Sequence, residues 1–177
     1  MRRKYTAPIL ALVMLLVVFN GCGDKERTKS SSRTESVASG QRKQIDIDFS
    51  KSSFPETIKL ATGFANPEEW GRWTDGDKAV LVFNRPLPKQ FTCRIVVYSA
   101  FGPNASAPIK LKIGDLERTF LVSKVNESIA IPVSVSQEAN SIEIIPPKPS
   151  SPKSLGTSND GRRLGIAIAK LSIIPSS

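Results

Sequence analysis

Residues 91–97, Phe-Thr-Cys-Arg-Ile-Val-Val, decide the fold, because every second residue is apolar. Side chains of one parity lie on one face of a β-strand, so this period of two predicts a half-buried strand. The same pattern begins at Ile45, where isoleucines and Phe49 alternate with aspartates. The folded part of the chain therefore starts with strands and not with helices.

Similar β-rich runs follow one another at intervals of about ten residues and are separated by Gly, Pro and Asn, as in β-sandwiches and barrels. No window shows sustained helical periodicity, and at most residues 66–70 form one helical turn, with Pro67 at its first position. The sequence predicts an all-β fold, a jelly-roll-like antiparallel β-sandwich over residues 44–177. Its further strands are expected at 57–61, 79–83, 91–99, 109–113, 119–123, 129–135, 141–145 and 164–173.

Three local features refine this prediction. Residues 113–116 should form a tight hairpin in which Gly114 takes a positive φ at the first turn position. Pro132 lies inside an apolar run and cannot donate a backbone hydrogen bond, so it indicates an edge strand or a bulge. Residues 146–152 contain several prolines and should form an extended connector.

The N-terminus carries an export signal. Basic residues 2–4 precede an apolar run at 8–19, which is the order of a secretory signal peptide over residues 1–21. The Gly21-Cys22 pair resembles the lipobox of bacterial lipoproteins, although Phe19 and Asn20 depart from its usual residues. The resemblance implies that Cys22 receives lipid and becomes the mature N-terminus. Soluble secretion and an uncleaved membrane anchor are the alternatives.

Residues 22–43 should form a disordered tether, because they are rich in Ser, Lys and Arg and almost lack large apolar residues. We expect the protein to face the periplasm from a lipid anchor in the bacterial cell envelope. Gly23 follows the cysteine, where Asp often signals retention in the inner membrane, so the outer membrane is favoured.

Composition excludes several kinds of chemistry. Most of the formal charge of +9 belongs to residues 1–43, and the remaining basic residues are scattered among carboxylates, which argues against nucleic-acid binding. The chain contains no histidine, which excludes Ser-His-Asp and Cys-His catalysis and removes the commonest zinc ligand. If Cys22 carries lipid, Cys93 has no disulfide partner and is expected to be a small buried apolar residue. We expect no metal and no cofactor.

Three segments resemble an accessory β-sandwich domain of bacterial enzymes that act on envelope glycans. They are residues 63–76 (GFANPEEWGRWTDG), residues 100–104 (AFGPN) and residues 151–166, which run from Ser-Pro-Lys to Leu-Gly-Ile. Similar domains form the C-terminal region of phosphoglycerol transferases that decorate periplasmic glucans, and occur on some membrane glycosyltransferases. The resemblance covers residues 54–174. It implies fold and cellular context, because transferase chemistry belongs to another domain of those enzymes.

Trp70 and Trp73 are the first candidate site residues. Indole rings stack on the apolar faces of sugars, and Arg72, Asp75 and Asn104 could bond hydroxyl groups around them. The alternative is that both Trp side chains fill the core of the sandwich or close one of its ends, and we favour a core position for at least one of them.

Asp160, Arg162 and Arg163 form a second candidate cluster. Arginine forks bind carboxylate or phosphate with two hydrogen bonds, which would suit an anionic glycan or a phosphoglycerol group. The alternative is a structural ion pair in which Asp160 orders the loop before the last strand.

The hypothesis is a non-catalytic envelope module that binds glycan or a glycan-modified group. One alternative is a protein–protein adaptor that docks an envelope enzyme acting on glycans. The other is a carboxylate-dependent hydrolase using Glu68 and Glu69, or Asp75 and Asp77. Adjacent carboxylates rarely point into one cleft at the spacing that glycosidases need, so the hydrolase is disfavoured.

Overall fold

A computed structural model describes residues 43–176, and the predicted signal peptide, Cys22 and most of the predicted tether lie outside these residues. Within them the chain forms ten β-strands and one 3₁₀ turn, Gly102–Ser106. The strands are β1 Ile45–Asp48, β2 Ile58–Thr62, β3 Arg72–Asp75, β4 Ala79–Phe83, β5 Gln90–Ala100, β6 Ile109–Ile113, β7 Leu116–Phe120, β8 Glu127–Ser134, β9 Ser141–Ile145 and β10 Leu164–Pro175.

The strands build two antiparallel sheets of five strands each. The first sheet has the order β1-β10-β5-β8, and β3 also pairs with β10. Since β10 is 12 residues long, β1 pairs with its second half and β3 with its first half. The second sheet has the order β2-β4-β9-β6-β7. The predicted antiparallel β-sandwich of jelly-roll type is therefore confirmed.

The hydrophobic core contains buried apolar side chains from both sheets, and alternation along strands such as β4, β5 and β6 supplies many of them. In β5, Phe91, Cys93, Ile95 and Val97 are at most 1% exposed, whereas Arg94 is exposed on the other face. Full burial of an Ile, Leu or Phe side chain contributes about 1.5–3 kcal/mol, so these alternating residues supply much of the driving force for folding.

Several local expectations are confirmed. The hairpin between β6 and β7 pairs Ile113 with Leu116, and Gly114 has φ +56°. Pro132 of β8 lies opposite Thr92 of β5, and β8 is an edge strand of the first sheet, as predicted. Cys93 is buried without a disulfide. Strands β4, β6 and β9 have the predicted bounds.

Other expectations were wrong. Residues 66–70 contain no helical turn, because Glu68 and Gly71 pair across a tight β-turn. The predicted strand at 119–123 lies instead at Leu116–Phe120, directly after the hairpin. Strand β3 was not predicted, since Trp73 and Asp75 face outward while Arg72 and Thr74 are buried, which reverses the usual polarity. Within residues 43–176 no helix is long and apolar enough to cross a membrane.

Candidate functional site

Four aromatic side chains lie together on the outer face of the first sheet. The Trp70 and Tyr98 rings are stacked, with centroids 4.8 Å apart and an interplanar angle of 13°. Trp73 contacts Trp70 edge-on at 5.6 Å and Phe101 edge-on at 6.0 Å. We call these four residues the aromatic surface. All four are half-buried, and none belongs to the hydrophobic core or to the residues packed against it.

Irregular pairing between β5 and β10 positions Tyr98. The register passes from Ser99 opposite Ala167 to Val97 opposite Ile168, so Tyr98 is skipped, and a second shift next to it skips Ala169. Bulges of this kind redirect side chains and are common near binding sites. Ala167 pairs with Trp73 of β3 on one side and with Ser99 of β5 on the other, so a small side chain lies between the strands that carry Trp73 and Tyr98.

A tight turn presents Trp70. Glu68 and Gly71 exchange backbone hydrogen bonds of 2.7 and 3.0 Å, which leaves Glu69 and Trp70 at the tip. Gly71 has φ +146°, and a Cβ atom there would overlap the carbonyl oxygen of Ile168 in β10. Only glycine allows the turn to approach β10 so closely, and this approach brings Trp70 over the sheet.

Strand β3 presents Trp73 and Asp75 on the outer face by its alternation. The buried residue between them, Thr74, accepts a hydrogen bond of 3.0 Å at Oγ1 from the backbone N–H of Ile166. This bond satisfies a donor that the irregular register of β3 against β10 would otherwise leave unpaired. The strand is thereby fixed at the position of Trp73.

Asn104 supports the aromatic surface from below and does not belong to its exposed part. The side chain is fully buried, and its Nδ2 donates to the carbonyl oxygens of Phe101 and Lys148 at 3.0 and 2.8 Å. Its Oδ1 accepts from the backbone N–H of Lys148 at 3.0 Å. The structure thus corrects the expectation that Asn104 contacts ligand, because its amide already holds Phe101 and the 3₁₀ turn in place.

Arg72 also has a structural role, which corrects its assignment as a ligand-binding residue. It is 9% exposed and donates to the carbonyl oxygens of Phe49, Lys51 and Ser52, while its guanidinium lies 4.5 Å from the centroid of the Phe54 ring. Burial lowers the pKa of this guanidinium. Arg72 therefore ties β3 to the loop after β1, away from the aromatic surface.

The second candidate cluster consists of ion pairs. Arg162 donates from Nε and Nη2 to Oδ2 of Asp160 at 2.9 and 2.7 Å, and its Nη1 lies 3.4 Å from Oε1 of Glu68. The hydrogen bonds to Arg162 lower the pKa of Asp160, and the same bonds raise the pKa of Arg162. Because Glu68 belongs to the Trp70 turn, Arg162 connects this turn to the loop before β10.

Arg163 forms a separate and more exposed group. Its Nη2 donates to Oδ1 of Asp77 at 2.6 Å, and its backbone N–H donates to Oδ1 of Asp75 at 2.8 Å. The hydrogen bond lowers the pKa of Asp77 and raises that of Arg163. A lowered pKa is the opposite of what a general acid in a glycosidase needs, so Asp77 is poorly suited to that role.

Trp70 and Trp73 contact each other, and Asp75 lies on the same face of β3 as Trp73. Neither Trp belongs to the hydrophobic core, so the expectation that at least one of them fills it was wrong. Sequence reasoning missed Tyr98 and Phe101 as members of the same surface. Their signal was weak, since Tyr98 continues the alternation of β5 and is brought to Trp70 by a bulge. Within residues 43–176 no group of three or more Cys, Asp or Glu residues is arranged to hold a metal ion.

Comparison with known proteins places the chain in a class of accessory β-sandwich domains. Residues 36–175 match the family described as Domain of unknown function (DUF7024), and the chain belongs to this family. It is 32% identical over 155 residues to phosphoglycerol transferase I of Salmonella typhimurium (strain LT2), and 31% identical to that of Escherichia fergusonii. These alignments cover 85% of this chain and 19% of each relative, so the chain spans about a fifth of their length.

The predicted resemblance to phosphoglycerol transferases is therefore confirmed. Among solved structures, a family 29 carbohydrate-binding module matches with a TM-score of 0.46 and 11% identity, over 75% of this chain and 87% of the module. The C-terminal family 6 module of a marine laminarinase from Zobellia galactanivorans matches with a TM-score of 0.43 and 13% identity, over 75% of this chain and 99% of the module.

Proposed function

We propose that this protein is a non-catalytic module of the bacterial envelope that binds glycan through its aromatic surface. The observation that carries the proposal is the position of Trp70, Trp73, Tyr98 and Phe101 outside a core that is complete without them. The four half-buried rings lie side by side and leave part of their apolar surface in contact with water, and contiguous apolar patches often mark binding sites. Aromatic rings next to hydrogen-bonding groups suit sugars, which have an apolar face and polar edges.

Polar groups beside the rings would orient the sugar. Asp75 is half-exposed two residues from Trp73 on the same face of β3, and the Tyr98 hydroxyl belongs to the aromatic surface itself. Since Arg72 and Asn104 are buried, the proposed site contains Tyr98 and Phe101 and not these two residues.

Arg163 is the better candidate for contact with an anionic substituent. Its side chain is 52% exposed, against 38% for Arg162, and its partner Asp77 is 79% exposed. Exposed ion pairs stabilise by at most about 1 kcal/mol, so a phosphate group could replace Asp77 at small cost. The relatives are named phosphoglycerol transferases, which makes a phosphoglycerol-substituted glycan the anionic ligand to test.

We further propose that lipid at Cys22 holds the module on the periplasmic side of a membrane, with the outer membrane favoured. The support is the order of basic, apolar and cysteine residues in the first 22 positions. Radiolabelled fatty acid incorporated into the wild-type chain and not into a Cys22→Ala variant would support this anchor.

Calorimetric titration of the full chain with plain and phosphoglycerol-substituted β-glucans tests the binding proposal. Saturable binding should weaken by about tenfold or more in Trp73→Ala, because loss of an aromatic contact of about 1.5 kcal/mol reduces affinity by that factor. Leu60→Ala is the matched control, since Leu60 is 52% exposed on the second sheet. Absence of binding to both glucans by a folded wild-type chain would refute the proposal.

A protein–protein adaptor is the second candidate, because large apolar side chains are exposed in loops. Leu121, Val125 and Leu155 are 57, 61 and 46% exposed. A Cβ built on Gly102, next to Phe101, would lie 3.1 Å from Leu155 Cδ1, so this leucine borders the aromatic surface. Co-purification with a phosphoglycerol transferase that is lost in Leu155→Asp, without measurable glucan binding, would favour the adaptor.

A further inference from the structure

Ion pairs connect the turn that carries Trp70 to the loop before β10 and could fix the position of Trp70. Arg162 lies between two carboxylates, Asp160 in its own loop and Glu68 at the base of the Trp70 turn. With Asp160 it forms a fork of hydrogen bonds, and the backbone N–H of Arg162 also donates to Oδ1 of Asp160 at 2.9 Å. The guanidinium is therefore held firmly on one side and reaches Glu68 on the other.

We propose that the Glu68–Arg162–Asp160 ion-pair bridge fixes the Trp70 turn so that the indole stacks on Tyr98. This inference rests on the proposed function for its biological meaning, because it makes Arg162 a positioning residue of the glycan site. It also replaces the sequence-based expectation that Arg162 binds the anionic part of a ligand.

Geometry supports a specific role for this bridge. Backbone hydrogen bonds from Ala65 to Trp73 and between Glu68 and Gly71 fix the two sides of the turn. Trp70 lies at the tip of the turn, beyond these bonds. The position of the tip depends on contacts made by side chains, which are the stack of Trp70 on Tyr98, its edge-on contact with Trp73 and the bridge through Glu68. Loss of the bridge should therefore change the angle between Trp70 and its neighbours while the sandwich remains folded.

The two indoles provide a direct readout. The chain contains only two tryptophans, and they lie edge-on with centroids 5.6 Å apart. Such a pair gives an exciton couplet in far-ultraviolet circular dichroism, and its amplitude depends on the angle and distance between the rings. The signal can be recorded on the full chain in a detergent without a sugar headgroup, so that the same sample serves for glucan titration.

We expect Glu68→Gln and Arg162→Gln to reduce the couplet and to weaken glucan binding about two- to fivefold, the range of a partly exposed ion pair. Arg162→Lys should restore part of the signal, because an ammonium keeps the charge but not the fork. In wild type, 1 M salt should reduce the couplet, whereas Glu68→Gln should respond less. Arg163→Gln, which removes the exposed pair with Asp77, is the matched control and should leave the couplet unchanged.

An unchanged couplet in both Glu68→Gln and Arg162→Gln would overturn the positioning role, whatever happens to glucan binding. A reduced couplet with unchanged glucan affinity would also overturn the proposal, because the bridge would then position Trp70 without affecting glucan binding. If wild type binds no glucan but the couplet falls in both variants and not in Arg163→Gln, the bridge positions Trp70 and the proposed function fails instead. Additive effects in the Glu68→Gln/Arg162→Gln double variant would exclude a direct bridge.

Discussion

Replacement of Gly71 by alanine tests how the aromatic surface is built. The new Cβ would overlap the carbonyl oxygen of Ile168 and lie 2.8 Å from Cα of Ala169, and both are backbone atoms of β10. Since neither atom can rotate away, β3 and the Trp70 turn must shift from the sheet. The neighbouring Gly76 has φ +101° but no atom within 4 Å of a built Cβ, so Gly76→Ala is the matched control.

Comparison of the two variants separates the free-energy cost of backbone strain from that of the close contact with β10. Both place an alanine at a positive φ, at a cost of about 1–2 kcal/mol. Gly71→Ala adds an overpacking cost of about 1–3 kcal/mol. We therefore expect Gly71→Ala to destabilise by about 2 kcal/mol more than Gly76→Ala, which corresponds to a Tm lower by about 6–8 °C for a domain of this size.

Urea denaturation monitored by circular dichroism measures this difference, and tryptophan fluorescence of the folded state reports the position of Trp70. Gly71→Ala should change the fluorescence spectrum, because the shift moves Trp70 relative to Tyr98, and Gly76→Ala should not. Equal loss of stability in the two variants would refute the argument. It would mean that β10 does not approach Gly71 as closely as described.

Three further predictions concern buried and charged groups. Asn104→Ala should reduce the free energy of unfolding by about 2–3 kcal/mol, because it leaves buried backbone groups unpaired. Asn66 lies on the surface, so Asn66→Ala should have little effect in the same urea experiment. Stability should be constant between about pH 5 and pH 8 and should fall in more acidic solution, because hydrogen bonds to Arg162 lower the folded-state pKa of Asp160 and its contribution is lost as pH falls through that pKa. Asp160→Asn should flatten the pH dependence of the urea midpoint. Burial raises the pKa of Cys93 to about 12, so at pH 8 only about one thiol in 10⁴ is ionised. In the Cys22→Ser variant Cys93 is the only thiol, and it should react with iodoacetamide at a measurable rate only after denaturation.

The fold could be predicted from the sequence because alternation is a direct consequence of strand geometry. Where a strand buries one face in the core, as β4, β6 and β9 do, its bounds follow from the apolar residues. Strand β3 escaped prediction because its buried residues, Arg72 and Thr74, are polar and its outward residue is Trp73. A buried arginine that bonds three carbonyl oxygens depends on the tertiary structure and leaves no local signal.

The candidate site was predicted only in part, for the same physical reason. Trp70 and Trp73 stand out by residue type alone, but Tyr98 joins them through a register shift that depends on how β5 meets β10. Asn104 and Arg162 have side chains suited to ligand binding, and only the positions of Lys148 and Glu68 reveal that their hydrogen bonds are made within the protein. Residue chemistry indicates what a side chain can bind, and the fold decides which partner it has.

The position of the aromatic surface also bears on how an anchored module would work. Strand β1 enters the sheet with Ile45 opposite Ile173, whereas Trp73 lies opposite Ala167. These two points are six residues apart along β10, or about 20 Å at the rise of a β-strand. A lipid at Cys22 would therefore hold the domain by the end of the first sheet that is farther from Trp73.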